Sequence, residues 1–166
     1  VFDVCELIRI CVISLQQELI DKDLEFEAEF ELERMFIRAD RDSVQRLLLN
    51  LMQNAVKFTP ERGTIRVAVR KVRDKTEVSV QDTGIGIAPD ELPFVFDRFY
   101  KTDKSRSSDR TGVGIGLAIV RSIIISHREE IRVESTLNVG TTFTFTMPSE
   151  ADPQGVLEYG RYDADS

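Results

Sequence analysis

The chain has 166 residues, of which 42% are hydrophobic, and this size and composition suit a single domain with a sizeable core. No apolar run approaches the roughly 18 residues that a membrane-spanning helix needs, and the N-terminal residues predict an amphipathic helix instead of a secretion signal. The net charge of −7 argues against nucleic acid as a main partner, because neutralising phosphates requires a basic face.

The first half of the chain predicts helices and strands in mixture. A helix is expected over residues 3–20, followed by a half-buried strand in which apolar residues alternate with acids. A second, short strand is expected over residues 35–38. Asp40 then caps a long helix, which Pro60 and Gly63 bring to an end. The alternating apolar residues of the first strand are Leu24, Phe26, Ala28 and Phe30.

The second half predicts further strands, a long aperiodic stretch and another helix. Two alternating strands are expected on either side of a tight turn near Asp74 and Lys75, and a short helix should end at Phe96. Residues 97–111 have no periodicity, and aperiodic stretches of this length are typical of a functional lid or of disorder. A helical pattern then covers residues 112–126. A closing antiparallel pair of strands should turn around residues 138–140.

These elements predict an α+β domain with helices on one face of a mixed sheet. We expect this domain over residues 1–148 and an acidic, flexible tail over residues 149–166. The chain does not begin with Met, so we expect it to be part of a longer protein. Cys5 and Cys11 are interpreted as buried thiols in a reducing cytosol, not as a disulfide or a metal-binding pair.

Two asparagines lie one turn apart on the long predicted helix. The spacing of Asn50 and Asn54 puts both carboxamides on one face, with Lys57 and Phe58 one turn further along. A carboxamide oxygen is a hard, neutral ligand suited to Mg²⁺, which keeps most of its waters and is shared with phosphate oxygens. Lys57 can meet phosphates as a point charge. The alternative is that these are ordinary surface residues of an amphipathic helix.

The segment Asp82-Thr-Gly-Ile-Gly86 follows an alternating strand. A carboxylate there can accept a hydrogen bond from an exocyclic amine, which adenine has and guanine lacks at that position. The glycines, Gly84 and Gly86, let the backbone turn sharply and approach a flat ring closely. The alternative is a simple turn between two elements, with an aspartate as its first residue.

The segment Gly112-Val-Gly-Ile-Gly116 opens a predicted helix, where exposed amides and the helix dipole make an anion site. It is not a Walker loop, because no Lys-Ser/Thr follows, and it lacks the spacing of a dinucleotide-binding fold. Basic residues of the preceding stretch could close over a triphosphate, or they belong to a solvated loop. Arg98 stands out because Phe96 and Phe99 bracket it. These basic residues are Arg98, Lys101, Lys104, Arg106 and Arg110.

Taken together, these motifs resemble the catalytic, ATP-binding domain of bacterial sensor histidine kinases. The matching segments are residues 50–60, 82–87, 96–99, 112–120 and 140–143, within a resemblance that covers about residues 3–148. The resemblance implies the ATP-binding sandwich shared with gyrase, heat-shock chaperone and mismatch-repair ATPases. That fold is α+β, a two-layer sandwich of about three helices on a mixed five-stranded sheet with a mobile ATP lid.

The resemblance also implies roles for individual residues. Asn54 would be the Mg²⁺ ligand, and Asp82 would read the adenine. Phe58 would stack near the adenine, and Thr141 would help to close the base pocket. The residues that would face the phosphates are Asn50, Lys57, Arg98 and the segment 112–117. The full set of expected ATP-binding residues is Asn50, Asn54, Lys57, Phe58, Asp82, Gly84, Gly86, Arg98, Phe99, Lys101, Thr111, Gly112, Val113, Gly114, Ile115, Gly116, Leu117 and Thr141.

The sequence departs from the family pattern in two places. The family usually has His-Gly-Gly after the last helix, whereas this chain has His127-Arg128-Glu129, so a left-handed residue at Arg128 would cost about 1 kcal/mol. The family's Gly-x-Gly before the last strand is Asn138-Val-Gly140 here, and Asn tolerates the same backbone. His127 is the only histidine and is interpreted as a helix-end residue, because the family's phosphoacceptor lies in a separate dimerisation hairpin.

The resemblance implies the catalytic domain of a protein histidine kinase. This domain would bind ATP and Mg²⁺ and present the γ-phosphate to a histidine outside this chain. The implied partners are the dimerisation hairpin of the full-length kinase and, indirectly, a response regulator. Neither nucleic acid nor direct membrane contact is expected. The isolated domain should be monomeric. In the full-length protein it should be the cytoplasmic part of a membrane-anchored sensor.

Two alternative functions are open. A serine-kinase anti-sigma factor has the same fold, but the Phe96-x-Arg-Phe99 segment and the long lid resemble sensor kinases instead. A binding module that senses ATP without transferring phosphate would keep the same phosphate-facing residues. Phosphorylation of a supplied hairpin domain, compared with a purified sigma-factor antagonist, would separate these functions.

Overall fold

The computed structural model of the protein describes residues 1–97 and 116–155. Within these ranges the helices are α1 (Val4–Ser14), α2 (Gln16–Asp21), α3 (Arg41–Phe58) and α4 (Gly116–Ser126), with a short 3₁₀ helix at Leu92–Phe94. The strands are β1 (Phe2–Asp3), β2 (Glu25–Phe30), β3 (Phe36–Ile37), β4 (Thr64–Val72), β5 (Lys75–Asp82), β6 (Ile131–Thr136) and β7 (Gly140–Glu150).

The strands form one mixed sheet in the order β1-β3-β7-β5-β4-β2, and β6 also pairs with β7. β2 runs parallel to β4, and the other pairs are antiparallel. One edge of β7 pairs with β5 over residues 141–148, and the other edge pairs with β6 and then with β3. This register sets Asp82, the last residue of β5, directly opposite Thr141.

The core lies between the helices and one face of the sheet. α3 begins at Asp40, whose side chain accepts hydrogen bonds from the N–H groups of Asp42 and Ser43. Its apolar residues recur at helical spacing and pack on the alternating residues of β4 and β5. Burying each large aliphatic side chain contributes about 1.5–3 kcal/mol. The buried residues are Val44, Leu47, Leu48, Leu51, Met52, Ala55 and Val56 of α3, and Ile65, Val67, Val69, Val78 and Val80 of the two strands.

The predicted α+β class and mixed sheet are confirmed. Five strands have six or more residues, as the resemblance implied, and the sheet gains two strands of two residues each, β1 and β3. The predicted helix over residues 3–20 is instead two helices, because Leu15 (φ −102°, ψ 4°) leaves the helical conformation between them. The expected short helix before Phe96 is a single 3₁₀ turn that contains Pro93.

The backbone is left-handed at both positions where the sequence departs from the family's glycines. Arg128 and Asn138 have φ angles of 55° and 63°, so both adopt the left-handed conformation. Cys5 and Cys11 are buried and form no disulfide, and burial raises the pKa of each thiol to about 11. Both thiols are therefore protonated at neutral pH and suit a structural role.

The C-terminal boundary lies close to the edge of the described chain. β7 continues to Glu150, whose carboxylate pairs with Arg38 at 2.6 Å, and Asp152 pairs with Arg34 at 3.4 Å. Residues 156–166, most of the predicted tail, and residues 98–115, most of the predicted lid, lie outside the described residues, so those two expectations stay predictions. Of the helices that the structure describes, none combines the length and the apolar composition that crossing a bilayer requires.

Candidate functional site

A buried carboxylate lies at the end of β5. Asp82 is 6% exposed, and its Oδ1 accepts hydrogen bonds from the N–H groups of Gly84 (2.8 Å) and Thr141 (3.3 Å). Burial raises the pKa of this carboxyl above its ordinary value, and the two N–H groups act against that shift. Oδ2 makes no hydrogen bond to any residue that the structure describes, so it is able to accept one from a ligand.

The loop that follows Asp82 passes so close to neighbouring backbone that two of its positions require glycine. A Cβ on Gly84 would lie 2.5 Å from the Phe58 carbonyl oxygen. Gly86 has a φ of +71°, and a Cβ there would lie 2.2 Å from the carbonyl oxygen of Thr136. The loop is therefore held between the C-terminal end of α3 and the β6–β7 turn.

The C-terminal end of α3 is tied to the same loop. The Ile85 N–H donates to the Phe58 carbonyl at 3.1 Å. The Lys22 Nζ donates to the carbonyls of Val56 (2.7 Å) and Lys57 (3.3 Å), where a cation also interacts favourably with the helix dipole. The Lys57 Nζ lies 5.4 Å from the centroid of the half-buried Phe58 ring, within the range of a cation–π contact. These bonds fix the last turn of α3 beside Asp82.

Thr141 occupies the other side of Asp82 and is held by a serine of β6. The side-chain oxygens of Thr141 and Ser135 lie 2.8 Å apart. Ser135 Oγ also accepts the Ile87 N–H (2.8 Å) and donates to the Gly140 carbonyl (2.9 Å). Ser135 therefore joins the end of the Asp82 loop to the start of β7 and orients the buried Thr141 side chain.

Asn50 and Asn54 are half-buried, and their four-residue spacing places them on the face of α3 that also carries Phe58. A Cβ on Gly116 would lie 3.5 Å from Asn50 Oδ1, so the first residue of α4 contacts the middle of α3. In residues 1–97 and 116–155 neither carboxamide has a hydrogen-bond partner, which leaves both able to bind a ligand. About 12 Å of helix separates Asn50 from Phe58, at 1.5 Å of rise per residue.

The donor set along α3 fits a hydrated magnesium ion that a nucleotide carries. No group of three or more His, Cys, Asp or Glu side chains that could hold a metal occurs among the described residues. Asn54 offers one hard, neutral oxygen, and Mg²⁺ keeps waters and phosphate oxygens as its other ligands. Asn54 therefore suits an ion whose other ligands are waters and phosphate oxygens.

The structure brings part of the predicted site together. One group lies in or beside the loop that follows β5: Asp82, Gly84, Gly86, Thr141 and Phe58. A second group lies where α4 meets α3: Asn50, Gly116 and the half-buried Leu117. Asn54 and Lys57 lie between the two groups along α3. The other predicted residues lie outside the described ranges: Arg98, Phe99, Lys101, Thr111, Gly112, Val113, Gly114 and Ile115.

Two residues of this region were missed by sequence reasoning. Ser135 continues the inward-facing positions of Ile131 and Val133, and the β6–β7 register sets it opposite Thr141. A polar residue at an inward position of a strand is the signal that could have identified it. Lys22 carries no such signal, because its contact with the end of α3 depends on tertiary packing.

Residues 39–151, more than half of the chain, match the model of the histidine kinase-, DNA gyrase B- and HSP90-like ATPases. The chain belongs to this ATPase family.

Relatives of this ATPase domain are sensor histidine kinases. The sensor histidine kinase WalK of Bacillus subtilis is 34% identical over 136 residues, which are 81% of this chain and 22% of WalK. The chain spans about a fifth to a third of the length of the curated relatives it matches.

Solved structures similar to this ATPase domain include the catalytic domain of histidine kinase ThkA (TM-score 0.78, 30% identity), where the match covers 89% of this chain and 95% of that one. ThkA has also been solved with the response regulator protein TrrA (TM-score 0.74, 29% identity, covering 90% and 41%). Full-length ShkA in complex with AMPPNP gives a TM-score of 0.79 at 30% identity, covering 90% of this chain and 31% of ShkA. Within its family, the chain corresponds to the ATP-binding catalytic domain of sensor histidine kinases.

Proposed function

We propose that this catalytic domain binds ATP together with Mg²⁺ and presents the γ-phosphoryl group to a histidine on a separate dimerisation hairpin of the full-length kinase. The observation that carries the proposal is the Asp82 carboxylate, whose Oδ1 is held by two backbone N–H groups while Oδ2 is left for a ligand. The exocyclic amine of adenine is a donor that this oxygen can accept, whereas guanine has a carbonyl oxygen at that position.

The base and the phosphates would occupy opposite ends of the site. Asp82 and Thr141 would contact the adenine, with the Phe58 ring beside it. Asn50 and the first turn of α4 would face the phosphates, where the helix dipole favours negative charge. By the family resemblance, Lys57 and Arg98 would add positive charge for the phosphates, and the segment 112–117 would add backbone donors.

The reaction that we propose is a phosphoryl transfer from ATP to a nitrogen of the acceptor imidazole. The bond between the γ-phosphorus and the β,γ-bridging oxygen breaks, a P–N bond forms, and ADP leaves. The domain contributes by holding the nucleotide in place and offsetting phosphate charge, since this chemistry depends mainly on positioning and electrostatics. Mg²⁺, held in part by Asn54, would neutralise charge on the phosphates when bound.

His127 is not the acceptor in this proposal, because both of its ring nitrogens are engaged within the domain. Nε2 bonds with the Asp40 N–H and Nδ1 bonds with the Ile123 carbonyl. The acceptor histidine and its response regulator would be supplied by other parts of the signalling system. A cytoplasmic setting agrees with the free thiols of Cys5 and Cys11.

Two measurements on the purified domain test the proposal. Calorimetry with Mg-ATP and with Mg-GTP should show a preference for ATP, and equal binding would contradict the adenine assignment. Transfer from γ-labelled ATP should label the hairpin domain of the same kinase and leave a hairpin without its histidine unlabelled. Nucleotide binding without any transfer would favour the ATP-sensing module, and labelling of a sigma-factor antagonist would favour the serine kinase.

A further inference from the structure

His127 connects the C-terminal end of α4 with the N-terminal end of α3. Its Nε2 lies 3.1 Å from the Asp40 backbone nitrogen, and its Nδ1 lies 2.8 Å from the Ile123 carbonyl oxygen. A backbone N–H only donates and a carbonyl only accepts, so Nε2 must be unprotonated and Nδ1 must carry the proton. The Ser126 hydroxyl, 3.3 Å from Nδ1, donates to the same Ile123 carbonyl. These contacts select the neutral Nδ1–H tautomer.

The bond with Asp40 completes the cap of the helix that carries the asparagines. The Asp40 side chain satisfies the N–H groups of Asp42 and Ser43, but the N–H of Asp40 itself needs an acceptor. In a capping box, a Glu or Gln at the third helical position supplies that acceptor. The third position of α3 is Ser43, and the acceptor comes from His127, on a segment that follows α4.

The two helices therefore meet at two places along their length. Asp40 meets His127 at one end, and Asn50 meets Gly116 at the other. Ten residues of α3 and eleven of α4 separate these contacts, about 15 Å and 16.5 Å at the rise of an α-helix. The helices run antiparallel, because the start of α3 meets the end of α4 and the start of α4 meets Asn50. The similar lengths agree with one lengthwise register, in which a slip of one residue would move the start of α4 by about 1.5 Å.

We propose that His127 is a positioning residue for the nucleotide site. By accepting the Asp40 N–H, it sets the lengthwise register of α4 on α3 and so sets where the first turn of α4 lies relative to Asn50. The inference rests on the proposed function in one respect, that Asn50 and the start of α4 face the phosphates.

Replacing His127 with Gln or with Asn separates the effects of its two hydrogen bonds. In His127→Gln the Oε1 atom can take the place of Nε2 and accept the Asp40 N–H. In His127→Asn the shorter amide can donate to the Ile123 carbonyl but does not reach Asp40. Ser126→Ala is the matched control, because it removes a hydroxyl that contacts Nδ1 and leaves the Asp40 bond in place.

The test measures Mg-ATP affinity and the free energy of unfolding for the wild type and these variants. His127→Asn and His127→Ala should weaken nucleotide binding by about three- to tenfold, the effect of one lost hydrogen bond. His127→Gln and Ser126→Ala should stay within about twofold of the wild type. In the wild type, the imidazole ¹⁵N spectrum should report the Nδ1–H tautomer.

Each contrary result has a distinct meaning. If the wild type binds no ATP, the proposed function is wrong, and this inference is wrong with it. If the wild type binds ATP and all variants bind it equally, or if Gln fails as Asn does, the positioning role is wrong. If His127→Asn and His127→Gln lose equal unfolding free energy and keep the wild-type affinity for Mg-ATP, His127 is a purely structural cap. An Nε2–H tautomer in the spectrum would also overturn the proposal.

Discussion

The Thr141 backbone N–H donates to the side chain of Asp82, the residue directly opposite it in the β5–β7 register, at 3.3 Å. The carboxylate at the centre of the proposed base pocket is therefore positioned by the sheet ladder as well as by the Gly84 N–H of the loop that follows β5. A Cβ on Gly140 would lie 2.0 Å from the Asp82 carbonyl oxygen, so the two strand ends approach as closely as only glycine allows. This arrangement makes the orientation of the carboxylate a property of the fold.

Asp82→Asn should weaken ATP binding by about 10- to 100-fold, the usual effect of losing a hydrogen bond to a charged group. The asparagine Oδ1 can still accept the N–H groups of Gly84 and Thr141, so the loop should keep its conformation. Calorimetry measures the change. Asp90→Asn removes the same charge at an exposed position and should bind ATP as the wild type does. Equal affinities in the Asp82 variant and this control would show that Oδ2 does not contact the base.

The same substitution should alter how stability depends on pH. Burial raises the pKa of the Asp82 carboxyl above 3.8, its ordinary value. A folded-state pKa above the unfolded one means that this group's stabilising contribution is complete below about pH 3.8 and is lost as the pH rises through the folded-state pKa. The difference in unfolding free energy, Asp82→Asn minus wild type, should therefore grow from acid to neutral pH.

Urea denaturation of the nucleotide-free domain at several pH values measures that difference. Asp90→Asn, the same change of side chain at an exposed position, is measured in parallel as the control. A difference for Asp82→Asn that is flat or that falls with pH would contradict a burial cost at this site.

Local patterns in the sequence predicted most of the fold, because they report contacts made within one element. The alternation of Ile65, Val67 and Val69 predicted a strand, and Asp40 predicted a helix start. The break at Leu15 was not predicted, because the apolar spacing continues unchanged through it to Leu19 while only the backbone departs from the helix.

Contacts between distant segments were beyond sequence reasoning. The bond between His127 and Asp40 joins residues 87 positions apart, and the role of Ser135 depends on the β6–β7 register. The glycines were recognised as motif residues, but the atoms that exclude a side chain at Gly86 belong to Thr136, fifty positions further along the chain. Such pairings follow from the packed fold and leave no pattern in either segment alone.

Asn54→Ala should reduce phosphoryl transfer much more than nucleotide binding. By holding a metal ion, Asn54 would help to align the phosphates and offset their charge mainly in the transition state, so its loss should lower kcat on the order of 100-fold while ATP affinity changes by about threefold or less. Transfer to the hairpin domain and calorimetry measure the two effects. Gln53→Ala removes an exposed carboxamide from the same turn of α3 and should leave both unchanged. Normal transfer by the Asn54 variant would exclude the metal role.

Gly86→Ala should destabilise the domain by at least about 2 kcal/mol, a fall in Tm of about 4–8 °C for a chain of this size. The left-handed φ of +71° is unfavourable for alanine, and the new Cβ would lie 2.2 Å from a backbone oxygen of Thr136, which must move. Gly116→Ala is the matched comparison, since its Cβ would meet the Asn50 side chain at an ordinary 3.5 Å. Because Gly116 is the first residue of α4 and not an interior one, its change to alanine should alter the stability by less than about 1 kcal/mol. Thermal unfolding without nucleotide measures both variants, and a Gly86 variant as stable as the wild type would mean that the loop adopts another conformation.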